Sequence, residues 1–207
     1  MNPITKDYKA AIYLLKNGGV VALPTDTAYC LAADINIESA VKKVFEIKKR
    51  PLDKALPVFL PDKEALTSVA TDIPDIAWRL TDGFWPGGLT LILKKHLSLL
   101  TSALSGGNTV AVRVPNHEIP LDIITSIGSP ITGTSANISG QDSPVTADEV
   151  YRQLGDKIDM IVDGGKCPIA KLSTIIDLTD NIPRILRVGA IAKEQIEKTC
   201  GIVLKYS

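Results

Sequence analysis

Val20-Val21-Ala22-Leu23-Pro24-Thr25-Asp26-Thr27-Ala28-Tyr29 decides how the rest of the chain is read. Four consecutive apolar residues, two of them β-branched, suit a strand covered on both faces rather than one with a wet side. Pro24 closes that strand, because it has no N–H to give to a ladder. Small hydroxyl residues then stand at the strand's carboxyl end, where open α/β sheets meet their ligands. On this segment alone, a turn whose Thr and Asp side chains cap backbone amides is the simpler reading.

Upstream, Tyr8, Ala11, Ile12 and Leu15 fall at i, i+3, i+4 and i+7, the stripe of a helix. Thr5 is its expected cap, and Gly18-Gly19 ends it by admitting a left-handed backbone. Downstream, Ala40, Val41, Val44, Phe45 and Ile47 predict a helix over 38–48, stopped before Pro51. Short apolar runs at 56–60, 89–93, 110–114, 158–162, 173–178 and 185–188 read as further strands. Pro74 opens a helix reaching Leu80, and Thr146 with Glu149 makes a capping box before Val150 and Leu154. Strands and helices alternate irregularly, some strands following one another after only a turn. The pattern predicts an α/β fold: an open, twisted, mixed sheet with helices packed on it. No repeat, linker or break in composition divides the chain, so residues 1–207 are expected to form a single domain.

The composition agrees with a globular chain. Apolar residues make up 45% of 207 and charged residues 22%, which excludes disorder and collagen-like structure. Lys and Arg number 23 against 23 Asp and Glu, so a generally basic nucleic-acid coat is excluded while a local basic pocket is not. Cys30, Cys167 and Cys200 lie far apart without a CxxC pair, and His96 and His117 stand alone. That pattern argues against structural zinc and for reduced thiols in a cytoplasmic protein. The N-terminal residues lack the basic and apolar regions of a signal peptide, and no run approaches the roughly 20 apolar residues of a membrane span.

Two more segments concentrate chemistry. Residues 42–54 hold six basic and two acidic side chains in 13 positions, a patch that favours phosphate. Lys42 and Lys43 read as a solvated helix face, whereas Lys48 and Arg50 bracket the helix end and the Pro51 break. After Pro130-Ile131, Thr132-Gly133-Thr134-Ser135-Ala136-Asn137-Ile138-Ser139-Gly140 gathers hydroxyl, amide and backbone donors suited to an anion or an adenosine. The sequence has no Walker A motif, no GxGxxG, no GxSxG elbow and no convincing Cys/His pair.

Seven segments in order give the chain a resemblance to the YrdC/TsaC family of threonylcarbamoyl-AMP synthases. They are Pro24 to Tyr29, Lys48-Lys49-Arg50-Pro51, Phe84-Trp85-Pro86-Gly87-Gly88-Leu89-Thr90, Thr109 to Pro115, Thr134 to Gly140, Ser173 to Asp177, and Ile185 to Gly189. The resemblance implies a YrdC-like sheet around a concave, basic cavity. The implied reaction joins L-threonine, bicarbonate or CO2, and ATP into threonylcarbamoyl-adenylate with release of pyrophosphate. Its product serves N6-threonylcarbamoyladenosine formation in tRNA, with hand-over to tRNA threonylcarbamoyl-transfer proteins and weak tRNA binding as further implied partners. The length suits the single-domain form of the family.

By the same resemblance, Lys48 and Arg50 are the expected catalytic cations. Thr27, Arg113, Thr134 and Ser173 are expected to bind threonine. ATP falls to Lys48, Arg50, Thr109, Ser135, Asn137 and Arg187, with Mg2+ arriving on the triphosphate rather than in a carboxylate cage. Departures from the family pattern are Cys30, where glycine usually follows the tyrosine, Gly88, where proline is common, and a basic loop from Lys166 to Lys171. Two alternative readings remain open at this point. One is a YciO-like or other carbamoyl-adenylate-handling relative; the other is an RNA-binding module without catalysis.

Overall fold

The computed structural model describes residues 3–99 and 107–206. From the N-terminus the chain forms β1 (Ile4–Thr5), α1 (Lys9–Lys16), β2 (Val21–Leu23), β3 (Cys30–Ala32), α2 (Glu38–Lys48), β4 (Val58–Phe59), α3 (Leu66–Val69) and α4 (Asp75–Phe84). It continues with β5 (Leu89–Lys94), β6 (Thr109–Arg113), α5 (Glu118–Ile127), β7 (Ile131–Thr132), β8 (Thr134–Ser135) and α6 (Ala147–Leu154). The last elements are β9 (Met160–Val162), β10 (Thr174–Asp177), β11 (Arg184–Arg187), α7 (Lys193–Cys200) and β12 (Lys205–Tyr206).

The mixed α/β architecture is the one expected, and the strands divide into two mixed sheets. One has the order β1-β9-β2-β3-β8, the other β12-β11-β10-β5-β6-β4-β7. They meet where the chain passes from β7 to β8 through Gly133. There Thr132 donates its N–H to the Ala33 carbonyl at 2.8 Å, and its hydroxyl bonds Ala33 N and Leu31 O on the other sheet. The ring of Phe59 lies against this crossing: a Cβ on Gly133 would fall 2.2 Å from two of its carbons.

β2 is buried on both faces, as its unbroken apolar run predicts. Val20 and Ala22 face a core shared with β5, β6, α2, α4 and α6, while Val21 and Leu23 face a second cluster with α1 and α5. Each buried Val or Leu side chain in such a layer contributes about 1.5–3 kcal/mol, so neither face of β2 tolerates a polar residue.

Local signals mostly land where expected. α2 occupies 38–48 and ends at Lys49 in the left-handed region, just before Arg50 and Pro51. Thr146 accepts from Glu149 N, and Glu149 reaches back to Val145 N rather than to the cap residue itself. Thr5, by contrast, does not cap α1. Its hydroxyl accepts from Asp7 N, and Asp7 in turn accepts from Lys9 N at 3.0 Å, because the longer turn puts the carboxylate nearer the helix start.

Candidate functional site

Strand alternation builds the site. On β5, Leu89, Leu91 and Leu93 pack inward, which leaves Thr90 and Ile92 on the opposite face; on β6, Val110 and Val112 do the same and leave Ala111 and Arg113. Ile175 lies opposite Thr90 and Arg187 opposite Ile175, so the same face extends across β10 and β11. The five-stranded sheet closes over it with Cys30, Thr134 and Ser135, and the Pro24 turn adds Thr25 and Thr27. Between them lies a cavity of about 280 Å³ lined by Arg50, Arg113 and Arg187. Among the described residues that line it, none is acidic.

The three guanidinium groups are each held by oxygen acceptors from the chain. Arg113, 4% exposed, gives Nε to Gly87 O at 2.8 Å, Nη1 to Thr27 Oγ1 at 2.8 Å and Nη2 to Asp26 Oδ1 at 2.5 Å. Its ring neighbour is Phe59, whose centroid lies 5.5 Å from the guanidinium carbon. Arg187 donates to Ser173 O and Oγ, and the Ser173 and Thr90 hydroxyls are hydrogen-bonded to each other at 2.8 Å. Arg50 donates to the carbonyls of Lys54 and Ala55, folding the turn after Pro51. Burial lowers the pKa of all three from the ordinary arginine value, with Asp26 opposing the effect at Arg113. A guanidinium remains charged under such shifts because it starts so high.

Of the residues expected from sequence, Thr27, Arg50, Arg113, Thr134, Ser135, Ser173 and Arg187 all line this cavity. Lys48 and Asn137 do not. They form the layer behind Ser135: Lys48 Nζ donates to Asn137 O at 2.7 Å, to Asn137 Oδ1 at 3.2 Å and to the Ser135 carbonyl. Asn137 accepts from the Ser135 hydroxyl and donates to the Ile138 and Gln141 carbonyls. Thr109 stands at the start of β6, opposite Lys94, on the cavity face but four residues (about 13 Å) along the strand from Arg113.

Asp26 is the residue whose partners the turn reading misses: its carboxylate accepts from Asn116 N, an amide far outside its own turn, and from Arg113 Nη2. The simple turn reading does hold for its neighbour, since Thr25 Oγ1 accepts from Thr27 N and Ala28 N. The available signal was a carboxylate placed directly after a doubly buried strand, where an unpaired charge is unfavourable. Cys30 sits in the cavity wall with its thiol pKa pushed up by burial to about 12.

The family model for Sua5, YciO and YrdC proteins, described as "Telomere recombination", matches residues 13–189. The chain belongs to the Sua5/YciO/YrdC family. Among its relatives, the threonylcarbamoyl-AMP synthase of Pyrococcus abyssi is 43% identical over 194 residues, 93% of this chain and 57% of that protein. The structure of P. abyssi Sua5 complexed with L-threonine matches with a TM-score of 0.93 and 42% identity, covering 97% of this chain and 58% of that one. Escherichia coli YciO matches with a TM-score of 0.81 and 26% identity, covering 91% of this chain and 92% of that one. The chain therefore spans little more than half the length of the Sua5 synthase it resembles, and most of the length of YciO. Among the described residues, no helix of this family member is long and apolar enough to cross a membrane.

Proposed function

We propose that this chain is a threonylcarbamoyl-AMP synthase that uses L-threonine, bicarbonate or CO2, and ATP, and that residues 1–207 act as one catalytic domain. The observation that carries the reading is the convergence of Arg50, Arg113 and Arg187 with Thr27, Thr134, Ser135 and Ser173 on one cavity without a lining carboxylate. Two anions must meet there. Threonine's amine adds to CO2 and loses a proton, giving a carbamate; a carbamate oxygen then attacks the α-phosphorus of ATP, and the bond to pyrophosphate breaks. Cancelling charge and fixing an in-line approach are the main contributions a protein makes to such a transfer.

In this reading Arg113 grips the threonine carboxylate through a bidentate fork, and Thr27, Thr134 and Ser173 supply hydroxyls around the amino acid. Arg50, Arg187 and Ser135 face the nucleotide. Lys48 and Asn137 hold the 134–141 loop beneath it. Mg2+ would enter with the triphosphate and offset part of its charge, beside the cations of Arg50 and Arg187. The product is activated for transfer to an adenosine amine, which is the chemistry tRNA-modifying partners consume.

The test is incubation of the purified protein with ATP, bicarbonate and each amino acid in turn, with pyrophosphate and adenylate products measured. Pyrophosphate release that requires threonine and bicarbonate supports the reading. Release that is indifferent to the amino acid, or RNA binding without any ATP turnover, overturns it.

A further inference from the structure

The direction of the Arg113 fork is set from outside the cavity. A guanidinium carries five N–H donors. Three are taken by Gly87 O, Thr27 Oγ1 and Asp26 Oδ1, which leaves one N–H on each Nη for the cavity that Arg113 lines. Because the group is planar and rigid, fixing three donors fixes the other two. Of these three acceptors, Asp26 alone carries a charge.

Asp26 is itself anchored on two sides. Its Oδ1 also accepts from Asn116 N at 3.0 Å, and its carbonyl accepts from Ile169 N at 2.9 Å. The residue is 3% exposed, and Asp26 is not among the residues lining the cavity. Gly88 packs beside the carboxylate: a Cβ there would lie 4.0 Å from Asp26 Oδ2 and only 2.7 Å from the Ala190 Cβ. Oδ2 has no hydrogen-bond partner among the described residues. A neutral acceptor would hold one N–H with less desolvation than a buried carboxylate with an unpaired oxygen. The charge is therefore better explained by what it does to Arg113 than by the two hydrogen bonds that its Oδ1 accepts.

We infer that Asp26 is a positioning residue for the proposed reaction: it touches no substrate, and it aims the two remaining Arg113 N–H groups at a planar anion, the threonine carboxylate. The inference rests on the reading of Arg113 given above. It is tested by titrating threonine and ATP separately into the wild-type chain, Asp26→Asn, Arg113→Lys and the double variant, with thermal unfolding followed in parallel. Asp26→Asn should weaken threonine about tenfold, while ATP affinity stays within about twofold. The double variant should bind threonine no worse than Arg113→Lys alone, since Asp26 acts through the guanidinium.

Asp26→Asn binding threonine as the wild type does, or losing both ligands equally, overturns the inference. A wild-type chain that binds no threonine removes the underlying reading as well, so the two failures are distinguishable. If Asp26→Asn does not fold, Asp26→Glu takes its place, because it keeps the charge and displaces the guanidinium by one methylene. Failure of both to fold assigns Asp26 to stability alone and overturns the positioning role.

Discussion

The amine of Lys48 lies 2.7 Å from the Asn137 carbonyl oxygen, so the end of α2 grips the loop that follows β8 from behind. Lys48 is 2% exposed, and the return contact, Ser139 N to the Lys48 carbonyl at 2.8 Å, closes the clasp. A lysine amine here fastens Ser135 in place, and Ser135 lines the cavity.

Lys48→Met keeps the stem and removes the donors, leaving the Ser135 and Asn137 carbonyls without their partner. Each buried polar group so orphaned costs about 1–3 kcal/mol, and a total near 3 kcal/mol in a chain of this size lowers the melting temperature by about 6–12 °C. ATP affinity should fall with it, because the loop no longer holds Ser135. A melting temperature within about two degrees of wild type would show that the amine does not hold the loop.

The same amine gives a pH signature. Burial, and then the charge of Arg50, lower its pKa to about 7 from the ordinary 10.5. With the folded value lowered, the unfolded chain binds more protons between about 7 and 10.5, so this group makes stability rise with pH across that window and adds no slope below it. An arriving triphosphate favours the charged form again. ATP binding near neutral pH should therefore be accompanied by proton uptake that is absent in Lys48→Met. Calorimetry in buffers of differing ionisation enthalpy reads the difference, and equal proton counts in the two proteins would exclude Lys48 as a charge that senses the nucleotide.

What was legible in the sequence was local. The doubly buried strand at 20–23, the helix stopping before Pro51 and the Thr146–Glu149 cap each depend on neighbours within a few residues. The division into two sheets was not legible, because it depends on β3 pairing with β8 about 100 residues away, where Cys30 meets Ser135 and Leu31 meets Thr134. For the same reason a loop of small residues at 132–140 gave no sign that its first part is strand. The family resemblance named ten side chains, and seven of them line one cavity. Periodicity gave no hint that Lys48 lies behind the wall, since a basic residue at a helix C-terminus usually faces solvent. Asp26 escaped for the opposite reason: its partner, Arg113, is 87 positions away.

Gly133 is the position where this crossing is least forgiving. Its Cβ would sit 2.2 Å from the Phe59 ring, and Phe59 packs on both the crossing and Arg113. Gly133→Ala should destabilise the chain by about 3 kcal/mol, the upper end for overpacking, and should weaken threonine binding through the displaced ring. Phe59→Leu in the same background should recover part of the lost stability. An unchanged melting temperature for Gly133→Ala would contradict the close packing of the two sheets.

Cys30 places a side chain in the cavity wall, at a position where the family resemblance leads one to expect glycine. With its pKa near 12 the thiol is protonated at neutral pH, so it contributes bulk and not charge. Cys30→Gly removes that bulk and should admit amino acids larger than threonine. One methylene-sized group in an apolar pocket is worth about 1–3 kcal/mol of discrimination, so the preference for threonine over isoleucine should fall by about tenfold or more. Glycine in a strand also lowers stability by about 0.5–1 kcal/mol, apart from the lost burial. Competition between the two amino acids in the pyrophosphate assay measures the ratio. A ratio unchanged by Cys30→Gly would place the side chain away from the amino-acid end of the cavity, and would move the selective wall to Thr27, Thr134 and Phe59.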